Sequence, residues 1–175
     1  MKLAIHSNAS YLSVPQARSR ASGVHFLSKG PPDPDNPEDF LPTTNGILLV
    51  VCNTMRNIMA SAAEAKYGTI FVNSQTAVPI RTTLAEMGWK QGPTAIQVDN
   101  PTAVGIATKE FFQNKSKAMD MHFYWINGII KQGQFRVFWR PVPENLGYYH
   151  SKHYPPEDHI SVCSKYLHVP YLRLL

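Results

Sequence analysis

The sequence predicts one α/β domain built on a mixed β-sheet. Its 175 residues suffice for one ordinary domain, and 43% hydrophobic against 17% charged residues is typical of a globular chain. Three strand-like segments follow one another near the start, which indicates an antiparallel meander. Further strands then alternate with helical segments, as in α/β domains.

Three strands are predicted in the first third of the chain, at residues 2–7, 24–27 and 46–52. The third is a β-branched apolar run, and we expect it to be buried on both faces. Five prolines and four acidic residues precede it, a composition that excludes a helix interior or a strand ladder. We therefore expect a solvated loop insertion at 29–45, for which a loop without a role of its own is the simplest interpretation.

The rest of the chain alternates helices and strands. Strong helix formers predict a helix over 58–73, and Pro79 suits the first turn of a second helix that ends at Gly88. The later elements are, in chain order, a strand at 94–98, a short helix from 101, a helix at 115–131, a strand at 134–140 and a short helix at 144–152. The domain is thus predicted to span 1–153, and 154–175, which shows no period, is predicted to be a C-terminal tail.

The charge balance weakly favours a polyanionic partner. Seventeen Lys and Arg against 12 Asp and Glu give a net charge of +5 and a pI near 9.2. No apolar run approaches the roughly 20 residues of a membrane span, so we expect no membrane partner. No secretory signal is visible, and the two distant cysteines, Cys52 and Cys163, suggest a reducing compartment. We therefore expect an intracellular location, cytoplasmic or nuclear.

Two acidic residues stand where functional groups are often found. Asp99 ends the strand at 94–98, and open α/β sheets bind ligands at the ends of their strands. Glu64 lies among alanines, whereas a solvated helix face would normally show several charges. From the residues alone, a helix cap at Asp99 and a surface charge at Glu64 are the simpler explanations, because caps are common.

Six short motifs occur in a definite order along the chain. They are HSNASYL at 6–12, RSRASG at 18–23, SAAEAKY at 61–67, VDNPTA at 98–103, SKAMDM at 116–121 and RPVPENL at 140–146. In this order and spacing, over roughly residues 3–155, they resemble the ribonuclease H domain of copia-type LTR retrotransposon polyproteins. The resemblance implies a ribonuclease H-like fold, in which three antiparallel strands and then two parallel ones form a five-stranded mixed sheet flanked by helices.

The resemblance also implies a chemistry. That family is a group of endonucleases that hydrolyse the RNA of RNA–DNA hybrids, with four carboxylates that hold two Mg²⁺ (or Mn²⁺) ions. Glu64 and Asp99 match two of these catalytic, metal-binding acids. Asn8 stands at the position of the first-strand acid, and Tyr148 at that of the final-helix acid. Asn8 retains one oxygen for a metal, whereas a phenol is a poor ligand at neutral pH, so we expect weakened cleavage or none.

A ribonuclease H-like domain would contact the backbone and 2′-hydroxyl groups of a hybrid. The candidate contact residues near the proposed site are Ser7, Ser10, Asn100, Arg140 and Lys152. A second basic group consists of Lys109, Lys115 and Lys117. These lysines either bind nucleic acid or only solvate a helix face. The resemblance further implies a fragment of a longer polyprotein, with the reverse transcriptase region of that polyprotein as a partner.

Several alternatives stay open. Glu144, four residues before Tyr148, is a candidate substitute for the lost acid of the final helix. Four potential zinc ligands have an irregular spacing that argues against a compact site: His150, His153, His159 and Cys163. Two other functions compete with a weakened nuclease. One is a non-catalytic nucleic-acid-binding module, and the other is a structural or interaction domain that docks through the acidic loop.

Overall fold

The computed structural model describes residues 1–28, 45–108 and 117–166. Its strands are β1 (Lys2–Val14), β2 (Arg18–Ser28), β3 (Asn45–Thr54), β4 (Thr94–Val98) and β5 (Phe135–Trp139). Its helices are α1 (Ala62–Glu86), α2 (Pro101–Thr108), α3 (Lys117–Lys131), α4 (Gly147–Ser151) and α5 (Pro156–Tyr166). The predicted loop insertion lies outside the described residues, apart from Asn45. The second basic group lies outside the described side chains.

The five strands form one sheet in the order β3-β2-β1-β4-β5. β1, β2 and β3 pair antiparallel, whereas β4 pairs parallel with both β1 and β5. The predicted sheet of three antiparallel and two parallel strands is therefore confirmed. Ser7 of β1 lies opposite Val98, the last residue of β4. Asn8 and Asp99 are the next residues after this pair, so they lie at the same level in two neighbouring chain segments.

Helices cover the two faces of β1. Ile5 lies in the main core together with residues of α1, and Ala4 lies in a smaller cluster with Leu146, just before α4. Alternate residues of a strand point to opposite faces, so Asn8 faces α4, as Ala4 does. A hydrogen bond of 2.9 Å from Asn8 Nδ2 to Ser151 Oγ of α4 agrees with this orientation.

One continuous helix, α1, stands where two helices were predicted. Pro79 lies in the interior of this 25-residue helix, and its missing N–H removes one helical hydrogen bond. Ala77 and Leu84 are nevertheless buried on either side of the proline, so the packed face continues past it. The prediction of a helix start at Pro79 was wrong because tertiary packing outweighed a local preference.

The prediction that the third strand is buried on both faces was also wrong. β3 lies at the edge of the sheet with β2 as its neighbour, and α1 packs over β1 and β2. Its apolar run is consequently exposed to a large extent, and Leu48 is 48% exposed. A run of β-branched and apolar residues therefore identified the strand but not its position in the sheet.

The segment predicted to be a tail contains α5. Pro156 occupies the first helical position, where its fixed φ suits a helix start. Glu157 and Asp158 follow in the first turn and interact favourably with the helix dipole. None of the helices in the described parts of the chain has the length and apolarity that a membrane crossing requires.

Candidate functional site

Asp99 follows β4 directly, and its carboxylate is buried beside an ammonium group. The Asp99 side chain is 1% exposed, and Lys66 of α1, whose side chain is 17% exposed, is its ion-pair partner. Lys66 Nζ donates a hydrogen bond to Asp99 Oδ1. A buried carboxylate is costly unless it is paired and hydrogen-bonded, and Lys66 supplies both the opposite charge and the hydrogen bond.

Glu64 lies in the first turn of α1, where its carboxylate caps the helix. The hydroxyl of Ser61, the N-cap residue, accepts a hydrogen bond of 3.1 Å from the Glu64 backbone N–H. Glu64 Oε2 in turn accepts a hydrogen bond of 2.5 Å from the backbone N–H of Ala60. This arrangement is similar to a capping box, although the carboxylate reaches one residue further back. The Glu64 carboxylate thus accepts a hydrogen bond from a backbone N–H of the protein itself.

The Asn8 side chain links β1 to α4. The side chain is buried, and Nδ2 donates to Ser151 Oγ, which donates to the carbonyl of Tyr148 at 2.7 Å. Among the described residues, the Asn8 Oδ1 atom has no hydrogen-bond partner. The amide therefore retains one buried acceptor oxygen that the protein itself does not use.

Tyr148 of α4 is paired with a second ammonium group. Lys152 Nζ lies 3.0 Å from the Tyr148 hydroxyl oxygen and 4.4 Å from the centre of its ring. The hydrogen bond from Lys152 lowers the pKa of Tyr148, with a smaller contribution from Tyr154, whereas burial and, to a lesser extent, the negative charge of Asp99 oppose this change. Tyr148 and Asp99 are therefore within electrostatic reach of each other.

A glycine allows α4 to lie close to β1. A Cβ atom on Gly147 would lie 2.8 Å from the carbonyl oxygen of His6, so a larger residue would push the helix away. Asn145 Nδ2 donates to the carbonyl of Ser7 at 2.9 Å, and Ser22 Oγ donates to the carbonyl of Gly147 at 2.7 Å. These contacts fix the position of α4 on the sheet.

The four predicted site positions lie at one end of the sheet. Asn8 and Asp99 are neighbours through the parallel register of β1 and β4. The ion pair of Asp99 brings the first turns of α1, which include Glu64, to the same end. The hydrogen bonds of Asn8 do the same for α4, which carries Tyr148.

Two of the predicted nucleic-acid contacts have buried side chains. Ser7 is fully buried, and its hydroxyl accepts a hydrogen bond of 2.9 Å from Asn73 Nδ2 of α1. Ser10 is also buried, and its hydroxyl is hydrogen-bonded to that of Ser13. Neither side chain is therefore placed to contact a nucleic acid.

The other three predicted contacts lie nearer the surface. Asn100 is partly buried, and its Oδ1 accepts a hydrogen bond of 3.1 Å from the backbone N–H of Ala103, so it caps α2. Arg140 is half-buried just after β5, and Lys152 is exposed just after α4. Arg140 and Lys152 thus remain the two basic candidates at this end of the sheet.

The structure also places the alternative ligands. Glu144 lies in a 3₁₀ turn (Val142–Glu144) outside α4, so the assumed helical spacing to Tyr148 does not hold. Asn145, with φ −99° and ψ 100°, is extended and separates this turn from α4. Within residues 1–28, 45–108 and 117–166, no three His, Cys, Asp or Glu side chains are grouped so that they could hold a metal ion.

The donor set does not fit a two-cation site of four carboxylates. Of the two carboxylates present, that of Glu64 accepts a hydrogen bond from a backbone N–H, and that of Asp99 accepts one from the Lys66 ammonium. The other two positions carry an amide and a phenol, and the phenol lies beside Lys152. Mg²⁺ prefers carboxylate and water oxygens, whereas this site supplies two ammonium groups of its own.

Lys66 is not among the residues that the sequence identified. In an α-helix, residues two positions apart do not face each other, so its distance from Glu64 gave no indication of a shared site. The contact with Asp99 spans 33 residues and depends on how α1 packs against the sheet. The signal present in the sequence was a second lone charge in a run of small residues.

No protein-family model matches the chain, and no curated protein matches it either. Several solved structures are similar. An RNase H1 isolated from compost by a metagenomic approach has a TM-score of 0.57 and 12% identity, over 82% of this chain and 87% of that one. The N-terminal RNase H domain of a Mycobacterium tuberculosis protein was solved as a fusion with maltose binding protein. It has a TM-score of 0.53 and 14% identity, over 82% of this chain and 85% of that one.

A third similar structure is a retroviral protein of several domains. The protease-reverse transcriptase of prototype foamy virus has a TM-score of 0.50 and 11% identity, over 86% of this chain and 20% of that one. The compost RNase H1 was also solved in complex with an RNA/DNA hybrid, and that structure has a TM-score of 0.54 and 12% identity, over 82% of this chain and 88% of that one. At these identities the comparisons establish the fold, and the chain is an α/β domain with the ribonuclease H-like fold.

Proposed function

We propose that this chain is a nucleic-acid-binding module that has kept the ribonuclease H-like fold and lost hybrid cleavage. One observation carries this conclusion: both remaining carboxylates of the site are engaged by the protein's own donors. Glu64 accepts from the backbone N–H of Ala60, and Asp99 accepts from the ammonium of Lys66. Under this proposal the domain binds its partner without Mg²⁺ or Mn²⁺.

The proposed partner is an RNA–DNA hybrid. A structural neighbour was solved with such a hybrid, and the net charge of +5 favours a polyanion. The backbone N–H of Arg140 donates to the carbonyl of Val98 at 3.0 Å, which places Arg140 beside the end of β4. Lys152 follows α4, which packs on β1 and β2. Both are suited to phosphate contacts, which position a nucleic acid without reading its sequence.

The loss of cleavage follows from the chemistry of the replacing groups. In metal-dependent hydrolysis, the cations activate a water molecule and stabilise the leaving oxygen. An ammonium group supplies positive charge, but it does not bind a water molecule as a ligand and lower its pKa. Lys66 and Lys152 can therefore neutralise the site without providing a nucleophile.

We also propose that the domain derives from a copia-type retrotransposon polyprotein. The order of the six motifs supports this origin, and the reverse transcriptase region of the same polyprotein is then the expected protein partner. The foamy virus protease-reverse transcriptase shares the fold, which agrees with a retroelement context. This origin implies an intracellular place of action, because reverse transcription takes place inside cells.

A binding titration tests the proposal. A fluorescently labelled RNA–DNA hybrid is titrated with the protein in EDTA, between about 50 and about 200 mM salt, and its anisotropy is followed. We expect metal-independent binding that weakens steeply with salt, because each phosphate contact releases a counterion. Failure to bind at any salt concentration would overturn the proposal and favour an interaction domain that docks on proteins.

A further inference from the structure

The Lys66 ammonium lies on the most deeply buried carboxylate of the site. The Asp99 side chain is 1% exposed, and the stem of Lys66 is largely covered by its surroundings, since 17% of the side chain remains exposed. In such an environment, opposite charges in contact attract each other more strongly than on an open surface. Removal of one partner would leave an uncompensated charge.

A buried oxygen without a partner lies on β1, the strand next to β4, which Asp99 follows. Ser7 of β1 is paired with Val98, the last residue of β4, and Asn8 and Asp99 are the next residues of these two chain segments. Among the described residues, Asn8 Oδ1 accepts no hydrogen bond, although it is buried. Native proteins rarely leave such an acceptor unused, so this oxygen points to a missing donor or cation.

We propose that Lys66 is a built-in cation that takes the place of a divalent metal ion at Asp99. Without Lys66, the Asp99 carboxylate and the unpartnered Asn8 Oδ1 are oxygen ligands of the types that Mg²⁺ and Mn²⁺ take. The tethered ammonium competes with any free cation because its effective concentration at the site is high. Removal of this one side chain therefore uncovers a divalent-cation site.

This inference goes beyond the proposed function, because it concerns ion binding in the absence of nucleic acid. The probe is Mn²⁺ alone, and the electron paramagnetic resonance signal of free Mn²⁺ reports how much is bound. We expect the full chain to leave Mn²⁺ free and Lys66→Gln to bind one ion, about tenfold or more tightly than the unaltered chain. Addition of Asp99→Asn to Lys66→Gln should abolish this binding.

A matched control separates the site from a general loss of positive charge. Lys131, an exposed lysine at the end of α3, is replaced by Gln, and this variant should behave like the unaltered chain. A second readout is thermal stability. Lys66→Gln should melt at a lower temperature than Lys131→Gln in metal-free buffer, and Mn²⁺ should raise the melting temperature of Lys66→Gln alone, because it binds the native state.

Two results would overturn the inference. One is a folded Lys66→Gln variant that binds no Mn²⁺. The other is an unaltered chain that binds one Mn²⁺ ion at a site lost in Asp99→Asn, which would show that the ammonium excludes no metal. The second result can be obtained even if Lys66→Gln does not fold. Hybrid binding and Mn²⁺ binding are measured separately, so failure of one proposal is distinguishable from failure of the other.

Discussion

The Lys66 ammonium donates a hydrogen bond to the buried Asp99 carboxylate and joins α1 to the end of β4. This contact brings a positive charge from the protein itself to the point where the ribonuclease H-like sheet ends. The charge of Asp99 is consequently balanced without an external ion. Arg140, which is hydrogen-bonded through its backbone N–H to Val98, and Lys152, which is hydrogen-bonded to Tyr148, lie at the same end of the sheet.

Restoration of the missing acids alone should not restore cleavage. In Asn8→Asp with Tyr148→Asp, the site regains four carboxylates, but Lys66 still occupies Asp99. We expect no cleavage of a labelled hybrid in Mn²⁺ by this double variant, and cleavage when Lys66→Gln is added. Product formation on a denaturing gel is the measurement. Equal cleavage by the double and triple variants would show that Lys66 does not block the site.

Gly147 should be essential for the packing of α4 on β1. The Cβ of Gly147→Ala would lie 2.8 Å from the backbone oxygen of His6, so the helix must move. We expect a loss of about 1–3 kcal/mol in the free energy of unfolding, measured with urea. Gly128 of α3 is the control, because no atom lies within 4 Å of a Cβ built there. Gly128→Ala should stabilise the protein by up to about 1 kcal/mol. Equal effects at both positions would contradict the close packing.

Stability should decrease between pH 6.5 and about pH 4. Burial lowers the pKa of His6 and of His25 from 6.5 to about 4, so the folded protein holds both rings neutral. Below pH 6.5 the unfolded chain binds protons that the folded chain does not bind, and folding is penalised until about pH 4 is reached. The penalty is on the order of 3 kcal/mol for each ring.

Urea unfolding at pH 7.5 and pH 5 measures this dependence. His25→Leu should reduce the difference between the two pH values, because one of the two most deeply buried rings is gone. His6 remains, as do His122 and His150, whose pKa values burial also lowers. His153→Gln, which removes an exposed histidine, should leave the difference unchanged. Unfolding free energies that are equal at both pH values would contradict neutral buried rings.

Lys152 should contribute one phosphate contact. Lys152→Gln is expected to weaken binding of hybrids of any sequence and to reduce the slope of log K against log salt by about one unit. Lys90, whose carbonyl accepts from Lys2 Nζ at the other end of β1, is the control position. Lys90→Gln should leave the slope unchanged. If Lys90→Gln and Lys152→Gln reduced the slope equally, binding would not be confined to the site.

The sequence allowed the sheet to be predicted because its signals are local. Strand-like runs and helix formers identified the elements, and the order of motifs gave the topology and brought Asn8 and Asp99 to one level. The location of Pro79 inside a continuous helix and the edge position of β3 could not be predicted in the same way. Both depend on which surfaces the packed domain covers, and local preference carries no information on that.

The candidate site was predicted as a set of positions but not as a set of contacts. Glu64 and Asp99 lie where the motifs indicated, yet the donors that engage them are a neighbouring backbone N–H and a lysine from another element. Ser7 was expected at the surface, but α1 covers it, and Asn73 of α1 donates a hydrogen bond to its hydroxyl. Such partners depend on helix-to-sheet distances, which sequence spacing does not specify.

Cleavage of a bound hybrid tests the central claim most directly. A hybrid labelled on its RNA strand is saturated with protein at low salt, Mg²⁺ or Mn²⁺ is added, and the RNA is followed on a denaturing gel. We expect the RNA to stay intact while anisotropy shows that the hybrid is bound. Metal-dependent cleavage that disappears in Asp99→Asn would contradict it and would show that the site is an active nuclease.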